Sequence, residues 1–201
     1  MIMEFRTYTM RPGSRDGFAR FFAEEAAPRM RDIGMTVLGP FRSVTNADEL
    51  AYARTFDSVE ERERLYQVYY ESQDWLGWMI DTAMGQEESF VVFLGGSDEE
   101  TPAQEPTTAL SGVHPTRFTL ASVTGPVREI SPEAVTVTGV DGDDMTFALP
   151  PEVRVFSVDG GGGMRPAARM NASDLAVGDT VLVLGSAGEV PTARQVVRRP
   201  G

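Results

Sequence analysis

Apolar and polar positions alternate from the start of the chain. Over Ile2 to Met10, Glu4, Arg6 and Tyr8 share one parity and Met3, Phe5 and Thr7 the other, which predicts a two-sided β-strand broken by Pro12-Gly13. Beyond a capping Ser14 the period changes. Phe18, Phe21, Phe22, Ala26, Met30 and Ile33 recur at helical spacing, with Pro28 expected to kink or end the helix. Met35 to Val44 and Leu50 to Phe56 read as strands joined by a turn at Thr45 to Glu49. Ser58 and Glu61 form a capping-box signature for a second helix, whose face collects Leu65, Val68, Tyr69, Leu76, Met79, Ile80 and Ala83. Ser72 and Asp74 are expected to split that stretch in two. Phe90 to Leu94 is a continuous apolar run, expected as a buried last strand.

The order βαββαβ predicts an α+β, ferredoxin-like domain over residues 1–95, its two helices on one face of an antiparallel sheet. The other face, to which Tyr8, Tyr52 and Phe56 are assigned, is left to water or another sheet. A homodimer built sheet against sheet is the simplest solution. Residues 96–116, rich in Pro, Gly and acids without periodicity, read as a linker. Residues 117–201 hold no Trp or Tyr and six short strand-like runs: Phe118 to Val123, Ala134 to Val140, Asp144 to Leu149, Val153 to Val158, Thr180 to Gly185 and Ala193 to Arg198. They predict a small all-β barrel domain, with a hairpin at Asp141 to Asp144 and a helical turn then a Gly turn in Asp174 to Asp179.

Composition narrows the chemistry. The net charge of −12 argues against nucleic acid and anionic membrane surfaces as partners. No Cys is present, all 18 basic residues are Arg, and His114 is the one His, in the linker. Disulfides, thiolate nucleophiles, Schiff bases and His-ligated metals or haem therefore drop out, and no cofactor is expected. With no signal pattern and no apolar run long enough to span a bilayer, a cytoplasmic location is the default expectation.

Three stretches carry a resemblance: Glu4 to Gly13 (EFRTYTMRPG), Arg31 to Phe41 (RDIGMTVLGPF) and Phe56 to Leu65 (FDSVEERERL), closed by Ser72 to Trp75 (SQDW). On these, residues 1–95 resemble the NIPSNAP family. The resemblance implies the dimeric α+β barrel seen in cofactor-free monooxygenases of antibiotic biosynthesis. It implies no common reaction, and the absence of His from this half sets it apart from haem-dependent relatives. The C-terminal half resembles uncharacterised bacterial β-rich domains through L-x-V-G-D-x-V at Leu175 to Val181.

Two readings of the first strand stay open. In one, Arg6 holds an anionic or enolised substrate oxygen, Glu4 or Tyr8 moves a proton, Arg54 shares the anion, and Tyr52, Trp75 and Trp78 form an apolar wall. The protein is then a metal-free, cofactor-free enzyme of proton transfer or oxygenation in a biosynthetic pathway, acting on a small acidic or aromatic molecule. In the other, Glu4 pairs with Arg54 across the strands. The domain is then a non-catalytic dimeric scaffold whose β-barrel recognises a partner. Gly160 to Gly163 lacks the ending of a phosphate loop and reads as a flexible loop, and Asp141 to Asp144 lacks calcium-loop spacing.

Overall fold

The computed structural model describes residues 1–96, 116–118 and 120–201. Residues 97–115 of the expected linker, His114 included, lie outside the described residues. The chain divides into two units, Met1–Tyr70 with Met79–Phe118, and Glu71–Trp78 with Thr119–Gly201. Among the described residues no helix is long and apolar enough to cross a membrane.

The first unit is mixed α and β. Its antiparallel sheet has β1 (Ile2–Met10) at the centre, between β3 (Glu49–Phe56) and β4 (Glu87–Gly96). β2 (Thr36–Arg42) lies outside β3, and β5 (Thr116–Phe118) outside β4. The first helical stretch runs as α1 (Arg15–Phe21), a π turn over Phe22–Ala26, and α2 (Ala27–Asp32). Pro28 has no N–H to give and its ring crowds the preceding turn, so the widened π turn falls just before it and the proline sits in the first turn of α2. At the start of α3 (Val59–Tyr70), Ser58 Oγ accepts the Glu61 N–H at 3.1 Å. Glu61 reaches back one residue beyond Ser58, to the Asp57 N–H at 2.8 Å. The expected interruption follows α3, before a π turn at Trp75–Met79 and α4 (Ile80–Met84).

The register settles which face is covered, and it reverses the expectation. Glu4, Tyr8 and Met10 of β1 and Leu50, Tyr52, Arg54 and Phe56 of β3 are buried under the helices. The bare face instead carries Met3 and Phe5, 44% and 37% exposed, with Leu38 and Phe41 at 47% and 54%. The polar parity of β1 turned inward because its charges have partners there, whereas nothing polar lines the opposite face of β1 beyond Thr7 and Thr9.

The second unit holds β6 (Leu120–Ile130), β7 (Ala134–Thr138), β8 (Asp144–Ala148), β9 (Arg154–Ser157), β10 (Ala168–Met170), β11 (Thr180–Ser186) and β12 (Thr192–Arg198). Their order is β10-β9-β12-β11-β6-β7-β8, and a bridge from Ala148 to Thr192 joins β8 back to β12 in a ring. Val135, Val137, Phe147, Val181, Val183 and Ala193 are wholly buried in one shared core, alternating on β7 with less buried neighbours, while β9, β11 and β12 also bury Phe156, Leu182 and Val197 outside it. β6 runs past the end expected at Val123 and through Gly125-Pro126, pairing with β11 up to Pro126 and with β7 from Val127, where the register shifts before Glu129. A short 3₁₀ turn at Ala172–Asp174 is boxed by Asn171 and Asp174, ahead of the Gly178 turn.

Residues 71–78 join this unit through their backbone. Gln73 and Asp74 donate N–H bonds to the carbonyls of Arg165 (2.9 Å) and Gly163 (3.0 Å), and Ala167 N–H donates to Glu71 O at 2.7 Å. The glycine run is part of this contact: Gly163 N–H donates to Asp74 Oδ1 at 2.7 Å, and Gly160, Gly162 and Gly163 all have positive φ.

Close approaches at two strand glycines give a test of the ring. A Cβ at Gly125 would run into the Thr138 carbonyl and one at Gly185 into the Thr192 carbonyl, both backbone atoms, whereas the Cβ position of Gly77 is open. Gly125→Ala and Gly185→Ala are each expected to lower stability by about 1–3 kcal/mol, and Gly77→Ala to change it by less than about 0.5 kcal/mol, read from chemical denaturation.

Candidate functional site

All five tyrosines of the chain, Tyr8, Tyr52, Tyr66, Tyr69 and Tyr70, stand on the first unit's helix-covered side of the sheet or on α3 above it. β1 and β3 supply Glu4, Arg6, Tyr8, Tyr52 and Arg54. α3 supplies Arg62, Tyr66 and Tyr70, at successive i, i+4 positions and therefore in one stripe.

At the centre is the Glu4 carboxylate, wholly buried. Its Oε1 accepts Arg6 Nε at 2.6 Å and Arg54 Nη2 at 2.5 Å. Its Oε2 accepts Arg62 Nε and Nη2 at 3.0 and 2.5 Å, and the Tyr66 hydroxyl. The Tyr66 oxygen in turn accepts Arg6 Nη2 at 3.0 Å and Arg54 Nη2. Arg54, also wholly buried, donates from Nη1 to the Tyr70 hydroxyl at 2.9 Å, while its Nε is buried with no hydrogen-bond partner among the described residues. The guanidiniums stack on rings as well: Arg62 lies 4.1 Å and Arg54 4.7 Å from the Tyr66 centroid, and Arg6 5.5 Å from that of Phe90. The Tyr8 and Tyr52 hydroxyls are 3.1 Å apart.

Burial alone would raise the pKa of Glu4, but the charges of Arg54 and Arg6 and the bonds from Tyr66 and Arg54 outweigh it, holding the carboxyl far below the usual range. Burial pushes the Tyr8 phenol well above its ordinary value, with Tyr52 adding to the effect and Arg6 opposing it. Neither group is poised to exchange a proton near neutrality. Glu87 is. Burial raises its pKa and Arg6 pulls it back, leaving it at about 7.

Glu4, Arg6, Tyr8, Tyr52 and Arg54 are thus brought together as expected, and Glu4 does face Arg54 directly in the β1–β3 register. Trp75 and Trp78 fall in the stretch grouped with the second unit. Sequence reasoning missed Arg62, Tyr66, Tyr70 and Glu87. The Arg-Tyr-Tyr stripe at spacing four was the available signal, its first member hidden inside a run, Glu60 to Arg64, that reads as a solvated helix start. In the second unit, Asp141, Asp143 and Asp144 line a cleft of about 300 Å³ beside Ser122 and Met145. Among the described residues no three His, Cys, Asp or Glu side chains are grouped to hold a metal ion.

Residues 3–92 match the NIPSNAP family. An uncharacterized NIPSNAP-like domain protein from Burkholderia xenovorans is 18% identical, with 52% of this chain and 91% of that one covered at a TM-score of 0.44. A NIPSNAP family protein from Agrobacterium tumefaciens is 19% identical, with 51% and 98% covered at a TM-score of 0.43. No curated protein matches the chain.

The two carboxyls give opposite pH slopes. Glu4 has a folded pKa below its unfolded value of 4.5, so its stabilisation is complete above that value and is lost as pH falls. Glu87 has a folded pKa of about 7, above its unfolded 4.5, so its ionisation takes stability away as pH rises through that interval. Glu4→Gln, which leaves the guanidiniums uncompensated, is expected to cost about 3–5 kcal/mol and to flatten the acid limb of a urea-denaturation series. Glu87→Gln is expected to flatten the neutral limb instead.

Proposed function

We propose that the NIPSNAP domain of this chain, residues 3–92, binds a small anionic organic molecule against Arg6 and Arg54, and that it does so as a homodimer. The observation that carries this reading is the charge count. Among the described residues one fully ionised carboxylate, Glu4, is set among the guanidiniums of Arg6, Arg54 and Arg62 in a largely buried site, Glu87 near Arg6 is only partly ionised, and the buried Arg54 Nε has no hydrogen-bond partner. Excess buried positive charge is costly unless an anion meets it. Tyr66, Tyr70 and Phe90 around the Arg6 guanidinium suit a flat, aromatic acid. Glu4 then holds the arginines in place and moves no proton. If the domain is catalytic, the chemistry is proton transfer or cofactor-free oxygenation on such an acid, with Arg6 binding the anion and stabilising charge that develops on it.

The homodimer follows from the bare sheet face. Met3, Phe5, Leu38 and Phe41 form an exposed apolar face without a charged side chain among them. A second copy of the same sheet matches it in chemistry, giving two sheets packed in the manner of a dimeric α+β barrel built from ferredoxin-like βαββαβ units. The closed strand ring of the second unit is read as the small β-barrel.

A second reading, a non-catalytic dimeric scaffold whose β-barrel recognises a partner, is favoured by the direct Glu4–Arg54 pairing across β1 and β3. Arg6→Met separates the two. On the small-molecule reading the variant remains a folded dimer by circular dichroism and sedimentation, and its affinity for benzoate falls by roughly tenfold or more. Unfolding or loss of the dimer would assign Arg6 a structural role. Phe5→Glu, on the bare face, is expected to yield a folded monomer in sedimentation velocity; an unchanged dimer would remove the sheet-to-sheet assignment.

A further inference from the structure

We propose that Glu87 is the proton-exchanging carboxyl of this site: it takes up a proton from solvent when an anion seats against Arg6. The inference rests on the anion-binding reading above and adds to it the group that changes charge.

Geometry places Glu87 there. The β1–β4 ladder slips after Thr9, so that Glu87 stands opposite Met10. Directly paired residues share a face, so Glu87 lies on the covered side with Met10 and Tyr8. One of its carboxylate oxygens, Oε2, is buried and has no hydrogen-bond partner among the described residues. A carboxylate in that position has lost water on one side without gaining a donor, which favours its neutral form.

The groups that act on it are few. From β1 they are Arg6, whose charge opposes protonation, and Tyr8, whose phenol responds to the charge of Glu87. α1 turns Phe18 and Phe21 inward, while its Asp16 pairs with Arg42 and its Arg15 reaches the carbonyls of Ser43 and Asn46. Arg20 of α1 and Asp81 of α4 are exposed, and α4 buries Ile80 and Ala83. Among the described residues Arg6 is therefore the cation that holds Glu87 partly ionised, with its midpoint at about 7.

An anion bound at Arg6 cancels that cation's field at Glu87. The balance is Glu87–COO⁻ plus one proton from solvent giving Glu87–COOH, and the product is an O–H donor where an unpaired acceptor stood. Glu4 cannot do this, being clamped by guanidiniums, and Tyr8 is too weak an acid. In a proton-transfer reaction the same carboxyl is the group able to give up and retake a proton near neutrality.

The test is calorimetric titration of the full chain with benzoate, which does not itself titrate near neutrality, in two buffers of different ionisation heat. The wild type is expected to take up roughly half a proton per site near pH 7 to 8, and to bind several-fold more weakly at about pH 9 than at about pH 6. Glu87→Gln is expected to bind with no uptake and a flat pH profile. A carboxyl-carbon NMR titration of the wild type supplies the readout if that variant does not fold: the Glu87 midpoint should rise on adding benzoate. Benzoate binding with no proton uptake, or uptake that persists in Glu87→Gln, overturns this inference and leaves the anion site standing. No benzoate binding by the wild type at about pH 6 overturns the anion site, and this inference with it.

Discussion

The first unit is organised around the need to keep one carboxylate ionised away from water. Glu4 is wholly buried, and an isolated buried carboxylate is among the most costly groups a protein can hold. Its compensation draws on three separate pieces of secondary structure. β1 gives Arg6 two residues along the same face, β3 gives Arg54 by direct pairing, and α3 gives Arg62 and Tyr66 from above. The register of two strands and the rotation of one helix are therefore constrained together. A slip of one residue in β1 would turn Glu4 and Arg6 to the apolar side and leave Arg54 and Arg62 facing one another without a carboxylate.

That arrangement divides electrostatic work between two acidic residues on one sheet. Glu4 sits where positive charge exceeds its own, so its state is fixed and its role is to order guanidiniums. Glu87 sits where burial outweighs the pull of Arg6 and leaves its midpoint at about 7, so its state answers to small changes nearby. Environments that drive like groups to different charge states mark places where a protein can sense or move protons. Tyrosine rings around the arginines keep the region polar at their tips and apolar along their faces.

Much of the fold was legible in the chain. Period two in Ile2 to Met10 and period 3.6 from Phe18 to Met30 placed the first elements, and the interruption after Tyr70 was visible in Ser72 and Asp74. The inward face of β1 was not. Alternation says which residues go together but not which set is buried. The usual rule, apolar inward, fails when the polar set is mutually neutralising and the apolar set is the face left bare. The site was legible on the strands, where Glu4, Arg6, Tyr8, Tyr52 and Arg54 were found from parity. It was hidden on α3, where Arg62 lies among charged neighbours and Tyr66 and Tyr70 flank the apolar stripe of Leu65 and Tyr69. Glu87 was illegible, because its importance comes from a slip in pairing after Thr9 that composition does not announce.

The grouping of Glu71 to Trp78 with residues 119–201 means that the polypeptide passes from one unit to the other more than once. A fragment ending near residue 95 would lack the carbonyls of Arg165 and Gly163 to which Gln73 and Asp74 donate. Either half, recombined alone, would have to find new backbone partners for that eight-residue excursion.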